Sequence, residues 1–216
     1  MERSTSRSAV RPETHERFKE EFAAALLKIA PALEPKSVGA KAFLPIDRVI
    51  RVPGRGVVVT GTLGSGALER GATYRLMPGN KKARVREVQV HGEGLDRALA
   101  PTRVAANIAG VEYADVQIGA ALVESETEFV DSRVWLAGFR SVRWLETPVK
   151  FPRTGLLHAG TAFAQATIQI LAPDTVLSPG DLVPVRLRLD REIPLRAGLA
   201  YIFRASSVEG KAGHTL

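Results

Sequence analysis

The sequence contains no cysteine, so disulfides and thiolate metal sites are excluded. No apolar run approaches the roughly 20 residues that a membrane span needs. The first residues, MERSTSRSAVRPE, have no apolar core behind their arginines and do not fit a secretory signal. The four histidines are too far apart in sequence to indicate a local metal motif: His15, His91, His158 and His214. We therefore expect a cytoplasmic chain that binds no metal.

Sequence motifs of catalysis are also missing. A GxxxxGK[ST] loop, which cradles nucleotide phosphates, does not occur in the chain. Neither a nucleophile elbow nor an HExxH motif is present. Aspartate and glutamate are scattered singly, without an obvious acid–base pair. We expect that the chain is not itself an enzyme.

The composition favours small β-domains. Of 216 residues, 45% are apolar, which is enough to bury one large or two ordinary cores. With 19 glycines and 13 prolines among many Val, Thr and Ile residues, short strands are favoured over long helices. The formal net charge of +7 makes a polyanion such as tRNA a plausible partner.

Residues 1–40 are predicted to form a disordered polar tail, one amphipathic helix and a linker. The helix falls within THERFKEEFAAALLKIAPAL, because apolar residues recur there at helical spacing, namely Phe18, Phe22, Leu26 and Ile29. Pro31 should end this helix, and EPKSVGAKA follows as the linker.

Residues 41–125 are predicted to form a first antiparallel β-barrel. Pro53-Gly54-Arg55-Gly56 has the composition of a hairpin turn, and so does the segment from Met77 to Lys81. Short strands joined by glycine-rich turns favour a closed barrel, which leaves no exposed edge. The expected strands are 43–50, 56–63, 73–76, 83–90, 102–108 and 120–123. The acidic run at 124–128 marks the boundary of the domain.

Residues 126–216 are predicted to form a second antiparallel β-barrel. In LVPVRLRLD, the apolar residues Val183, Val185, Leu187 and Leu189 alternate with polar ones, as in a half-buried strand. Four further segments show alternation or short apolar runs: SRVWLAGF, TPVKF, GTAFAQATIQIL and LAYIFRA. The predicted fold class is therefore mainly β, with two antiparallel β-barrels preceded by one amphipathic helix.

The segment PIDRVIRVPGRGVVVTGTLGSGALERG resembles the opening of domain II in elongation factor Tu-like GTPases. Together with ARVREVQVHG and TRVAANIAGVEYADVQIG, it resembles the selenocysteine-specific translation elongation factors more than elongation factor Tu itself. The resemblance covers residues 41–123 well and extends more thinly over 130–216, where segments follow the order of domain III. It implies domains II and III alone, without the GTPase domain and the C-terminal winged-helix region. Residues 1–40 would then be a remnant of the GTPase-domain end, and the ending AGHTL a shortened last strand.

The resemblance implies a function in translation elongation. The chain would bind selenocysteinyl-tRNA and work on the ribosome, and GTP and magnesium would enter only through a separate GTPase domain. Two alternatives stay open. The chain can be the barrel pair of another translational GTPase with no selenium preference, or a truncated scaffold that binds nothing specific.

The resemblance also implies an aminoacyl pocket formed by Asp47, Arg48 and Arg103, with His91 as a fourth member. Arginine donors would favour the selenolate of selenocysteine over the neutral hydroxyl of serine. Alternation offers simpler interpretations, because Asp47 and Arg48 should point to opposite faces unless a bulge intervenes. Arg103 can be a solvated polar residue, and His91 can belong to a turn.

A basic strand follows the second turn and contains four candidates for contacts to tRNA phosphates: Lys81, Lys82, Arg84 and Arg86. A solvated outer face of the barrel is the alternative interpretation of the same pattern.

Overall fold

The computed structural model describes residues 12–29, 41–54, 56–124, 129–142, 148–172 and 176–206. Most of the predicted tail and of the predicted linker lies outside these residues. The exceptions are Pro12 and Glu13, which begin the helix, and Lys41 and Ala42, which precede the first strand. The helix α1, Pro12–Ile29, belongs to one compact unit, and the β-strands belong to a second unit. None of the helices described is long and apolar enough to span a membrane.

Helix α1 confirms the predicted amphipathic helix. Phe18, Phe22 and Leu26 are 63%, 54% and 51% exposed, and the two phenylalanine rings stack with centroids 5.9 Å apart. On the helix surface, Arg17 and Glu21 form an ion pair one turn apart, at 2.8 Å.

The first β-domain is a closed antiparallel barrel. Its strands follow the order β4-β9-β1-β2-β8-β5, and pairing between β4 and β5 closes the ring, while β6 extends β5 on the outside. The short strands β3 and β7 pair with each other. The bounds are Phe43–Val52 (β1), Gly56–Leu63 (β2), Ala67–Glu69 (β3), Thr73–Met77 (β4), Lys81–Val90 (β5), Glu93–Leu95 (β6), Arg97–Leu99 (β7), Thr102–Ala109 (β8) and Ala121–Val123 (β9).

Strict alternation explains why this barrel has one apolar core and a polar outer wall. In β2, Val57, Val59 and Leu63 are buried, while Thr60 and Thr62 face outward. The neighbouring strands contribute the remainder of the core with the same period, including Leu44, Ile46, Val85, Val104 and Ile108. Side chains that can act on a ligand are therefore confined to the outer wall.

The second β-domain is built on a five-stranded antiparallel sheet in the order β10-β15-β13-β12-β16, with a separate ribbon of β11 and β14. Leu177 of the ribbon packs into the same core as the sheet, around the buried Trp135. The bounds are Val130–Arg140 (β10), Val149–Lys150 (β11), Arg153–Ala159 (β12), Ala162–Ile170 (β13), Val176–Leu177 (β14), Leu182–Leu195 (β15) and Ile202–Ala205 (β16). The predicted fold class is confirmed.

The two β-domains contact each other directly. Phe43 of β1 stacks on Phe129 with ring centroids 4.7 Å apart, and the guanidinium of Arg196 lies over both rings. A Cβ atom added to Gly119, whose φ is +91°, would lie 2.8 Å from Cα of Ala162 in the other domain. Of the residues predicted as the domain boundary, 124–128, all but Glu124 lie outside the described part, and the domain limits stay a prediction.

Asp131 is a second connection between the domains, because its Oδ2 accepts a hydrogen bond of 2.8 Å from the backbone amide of Gly79. Burial raises the pKa of this carboxyl, the negative charge of Glu192 adds to the rise, and the Gly79 amide and Arg75 oppose it. Within the described residues, its other oxygen, Oδ1, is buried without a hydrogen-bond partner. Ionised Asp131 is therefore an incompletely compensated charge.

We expect Asp131→Asn to raise the melting temperature at pH 7 and to flatten its dependence on pH. A carboxyl whose pKa is raised by folding adds stability at low pH, and this stability is lost as the pH rises through the folded pKa. Asparagine keeps an acceptor for Gly79 but has no charge to bury. Asp131→Ala should instead cost about 1 kcal/mol, the usual net value of one hydrogen bond. Thermal unfolding between pH 4 and pH 8 measures both; a less stable asparagine variant at pH 7 would contradict the argument.

Candidate functional site

A β-bulge in β1 shapes the candidate site. Ile46 pairs with Gly61 of β2, but the next paired residue is Arg48, which lies opposite Thr60, so Asp47 is the extra residue. Ile46 is fully buried before the bulge, and Val49 packs against the core after it. Asp47 and Arg48 can therefore both leave the core and face the outer wall. The bulge removes the objection that two adjacent strand residues must point to opposite faces.

Asp47 and Arg103 meet on this wall. Arg103 donates from Nη1 to Oδ2 of Asp47 at 2.5 Å and from Nη2 to Oδ1 at 3.1 Å. Thr60 lies between their strands and donates its hydroxyl to Oδ1 of Asp47 at 2.8 Å. The register explains this contact, because Arg103 of β8 pairs with Thr62, one outward position along β2 from Thr60.

The ion pair fixes the charge state of both partners. The hydrogen bond from Arg103 is the largest cause that lowers the pKa of Asp47, while partial burial opposes it, and the carboxylate in turn raises the pKa of Arg103. The Arg103 side chain remains 54% exposed and that of Asp47 30% exposed. A guanidinium carries five N–H donors, so some stay available to a ligand. With exposed Arg48 beside the neutralised pair, the cluster has one excess positive charge.

A hollow of about 220 Å³ lies on the same outer wall. It is lined by residues of β1, β2, β5 and β8, namely Val52, Val58, Glu87, Gln89, Ala105 and Asn107. Ala105 pairs with Thr60, so the hollow adjoins the Asp47–Arg103 pair along the barrel. Its lining combines apolar side chains with two amides, Gln89 and Asn107, and the carboxylate of Glu87, a combination that suits a small polar ring. Motif matching missed Gln89 and Asn107, although their outward strand positions are a usable signal.

His91 lies in the two-residue turn between β5 and β6. Its φ is 53° and that of Gly92 is 87°, the paired positive values of a type I′ hairpin turn. The side chain of His91 is exposed. The ladder between β5 and β8 ends at the pair Gln89 and Ala105, so it includes neither His91 nor Arg103, each of which lies two residues beyond that pair. The turn explains the local conformation of His91. Its membership of the aminoacyl site stays a prediction.

The basic strand β5 divides into two parts. Nζ of Lys81 forms an ion pair of 2.6 Å with Asp115. Lys82, Arg84 and Arg86 are exposed and alternate with buried core residues, so they share one face. All three border a cavity of about 450 Å³ beside Gly110, and Arg86 reaches a second cavity, of about 600 Å³, together with Arg51. This face is a compact cationic surface on the barrel.

We also searched the described residues for groups of acidic and histidine side chains that could hold a metal ion. The described part of the chain contains no group of three histidine, aspartate or glutamate side chains that could hold a metal ion. The sequence also contains no phosphate loop. The described outer wall offers charge-assisted hydrogen bonds from Arg103 and a small hollow beside it.

No family model matches the chain, but the chain is similar to several translation elongation factors in sequence and shares its fold with a solved one. The solved structure of translation elongation factor SelB from Methanococcus maripaludis, in its apo form, shares the fold with a TM-score of 0.68 at 19% identity. That match covers 85% of this chain and 43% of the solved chain. Elongation factor Tu 2 of Streptomyces avermitilis is 28% identical over 171 residues, 77% of this chain and 43% of the relative.

The chain is also similar to selenocysteine-specific elongation factors. The factor of Desulfomicrobium baculatum is 34% identical over 164 residues, which is 76% of this chain. The predicted resemblance is confirmed. The chain spans about a quarter of that relative's length, namely 26%.

Proposed function

We propose that this chain is an aminoacyl-tRNA-binding part of a translation elongation factor, and that its aminoacyl group is selenocysteine. The bidentate contact between Arg103 and Asp47, next to the bulge that also exposes Arg48, carries this proposal. The similarity to selenocysteine-specific factors supports it.

The chemistry of the cluster suits a selenolate. A selenol ionises more readily than a thiol, so the esterified residue presents an anion at neutral pH, whereas seryl-tRNA presents a neutral hydroxyl. Asp47 and Thr60 hold the Arg103 fork in one orientation, and the excess charge of Arg48 favours an anion. A hydrogen bond to a charged partner contributes about 1.5–3 kcal/mol, which is a preference of about tenfold or more.

The neighbouring surfaces have roles in the same proposal. The hollow beside Ala105 takes the terminal nucleoside of the tRNA, which is covalently next to the aminoacyl group. Lys82, Arg84 and Arg86 contact tRNA phosphates. Lys81, whose Nζ forms an ion pair with Asp115, is the fourth candidate for a phosphate contact. GTP and magnesium act through a separate GTPase domain, and the ribosome is the larger partner. The chain works in the cytoplasm, binds no membrane and catalyses no reaction of its own.

We expect the full chain to bind selenocysteinyl-tRNA more tightly than seryl-tRNA, and both more weakly as salt is raised. Fluorescence titrations at 50 mM and 200 mM salt measure both effects. Each phosphate contact contributes about one unit of slope in log affinity against log salt, so Arg84→Ala should weaken both tRNAs equally and reduce the slope by about one. Arg97→Ala is a matched control, because Arg97 forms an exposed ion pair with Glu69, at 3.1 Å, on another strand.

Affinity that does not change with salt would contradict a role in tRNA binding. Equal affinities for the two tRNAs would favour the second candidate, the barrel pair of an elongation factor without selenium preference. The similarity to elongation factor Tu 2, at 28% identity, favours that candidate. Absence of any tRNA binding would leave only a scaffold.

A further inference from the structure

The first barrel has a cavity at the end that carries the turn between β1 and β2. This cavity has a volume of about 600 Å³, and its lining includes Val57 and Ile108, two residues of the buried core. Arg51 also lines it and pairs with Val57, so Arg51 lies on the inner side of the wall at this end. We call this cavity the barrel mouth. Mouths of β-barrels are common positions for small-ligand sites, which have volumes of about 300–1,000 Å³.

A second β-bulge brings Arg86 to the barrel mouth. Val85 of β5 pairs with Ile108 of β8. The next paired residue of β5 is Glu87, which lies opposite Asn107, so Arg86 is the extra residue of the bulge. Val85 belongs to the core and Glu87 lines the hollow on the outer wall, whereas Arg86 lines the mouth. The bulge therefore allows one strand to serve two different surfaces.

The barrel mouth is cationic. Arg51 and Arg86 are exposed, and within the described residues neither of them forms an ion pair. One carboxylate, that of Glu112, also lines the cavity. Lys82 and Arg84 border the adjoining cavity, which shares Arg86 with the mouth and has no carboxylate among its described lining residues. Four cations against one carboxylate favour an anion that extends from the mouth along β5.

An aromatic ring accompanies these arginines. Tyr113 lines the mouth from a 3₁₀ helix, Tyr113–Asp115, and is 46% exposed. The walls beside it are apolar and include Val52, Pro53 and Val111. The described lining contains neither Asn nor Gln, the side chains that read adenine by paired hydrogen bonds. Exposed aromatic rings hold nucleic-acid bases by stacking, whatever the base, while arginines hold the phosphates.

We propose that the barrel mouth binds one unpaired nucleotide, with its base on Tyr113 and its phosphate between Arg51 and Arg86. The apolar walls cover the base, and any further phosphates follow Arg84 and Lys82 along β5. The ligand is defined by a planar base joined to a phosphate, a unit that free nucleotides and single-stranded RNA share. Arg51 and Tyr113 have no part in the proposed function, so variants of these two residues test the mouth independently of the aminoacyl site.

The test uses the full chain and a fluorescein-labelled tetranucleotide of adenosine RNA. Fluorescence anisotropy should show saturable binding. A tetranucleotide with the same backbone but no bases should bind about tenfold or more weakly, because it has nothing to stack on the ring. Displacement by AMP at a dissociation constant close to that of the RNA would identify a free nucleotide as the ligand, and a much weaker AMP would identify the RNA strand. Equal binding of the strand without bases would overturn the proposal.

Substitutions separate the roles of the ring and the charge. Tyr113→Ala should weaken the tetranucleotide by about tenfold without changing its salt dependence, and Tyr113→Phe, which keeps the ring, should bind like the original chain. Arg51→Ala should reduce the slope of log affinity against log salt by about 0.7, the value for one phosphate contact on a single strand. Arg97→Ala is the matched control, because it removes an exposed arginine from β7. If Tyr113→Ala weakens binding no more than Arg97→Ala does, the proposal is wrong.

Hydrogen exchange locates the nucleotide without any substitution. With saturating tetranucleotide, exchange should slow at the backbone amides of 110–114, which border the mouth. The amides of 67–69 and 97–99, in the separate ribbon of β3 and β7, should exchange as before and serve as the internal control. Slowing that is confined to 105–107, beside the hollow on the outer wall, would assign the nucleotide to that hollow and overturn the proposal.

Discussion

Gly61→Ala should lower the melting temperature by about 6–12 °C, although it adds a single methyl group. An ideal Cβ on Gly61 would lie 2.0 Å from the carbonyl oxygen of Pro45 and 3.0 Å from Cδ1 of Leu44. The first of these neighbours is backbone and cannot rotate away, so β1 must move. Overpacking costs about 3 kcal/mol at its upper range. Each kcal/mol corresponds to about 2–4 °C in a unit of roughly 150–250 residues, such as Ser37–Leu216, which contains both β-domains.

The same substitution should also disturb the candidate site. Gly61 pairs with Ile46, the residue just before the bulge, so a displaced β1 carries Asp47 away from Thr60 and Arg103. Gly94→Ala is the matched control, because no atom lies within 4 Å of its ideal Cβ. Differential scanning calorimetry measures both variants. Melting temperatures that fall together would refute the close-approach argument.

The strands of the first barrel could be predicted from sequence because alternation is a local signal. The six segments expected between Phe43 and Val123 correspond to β1, β2, β4, β5, β8 and β9. The helix was equally clear, since Phe18, Phe22 and Leu26 repeat at helical spacing and lie along one exposed stripe. The short strands β3, β6 and β7 have three residues each, too few for alternation to show. Strand β9 is equally short but could be predicted, because all three of its residues are apolar.

The site could be predicted only in part. Matching to a family pattern brought Asp47 and Arg103 together, and the structure joins them by two hydrogen bonds. The bulge at Asp47 could not be read from β1 alone, because it is a difference in register between two strands. The third partner, Thr60, has the same origin, since its proximity depends on pairing between β1, β2 and β8. Long-range register is a property of the assembled sheet.

The roles of the basic residues separate for the same reason. Lys81, Lys82, Arg84 and Arg86 look equivalent in the sequence, but Asp115, 34 residues away, engages Lys81. The other three alternate with buried side chains and form one cationic face. The sequence predicts the strand, but only the folded structure distinguishes Lys81, which pairs with Asp115, from the three residues of the cationic face.

Arg103→Ala should reduce the preference for selenocysteinyl-tRNA over seryl-tRNA by about tenfold or more. Under the proposed function, the variant removes a charge-assisted hydrogen-bond donor to the selenolate, whereas the neutral serine hydroxyl gains little from this donor. Because the hydrogen bond from Arg103 is the largest cause that lowers the pKa of Asp47, the variant also moves that pKa upward. Arg103→Lys keeps the charge but loses the planar fork, so its preference should lie between alanine and arginine.

The comparison with Arg97→Ala separates this effect from a general loss of positive charge. The side chain of Arg97 is 57% exposed and that of Arg103 is 54% exposed, and each is paired with one carboxylate. Arg97→Ala should weaken both tRNAs slightly and equally, through the long-range field alone. If both alanine variants change the two affinities by the same factor, Arg103 has no special role and the selenium preference must originate elsewhere. If only Arg103→Ala changes the ratio, the bulge at Asp47 is the structural device that makes the preference possible, because it exposes the carboxylate that orients Arg103.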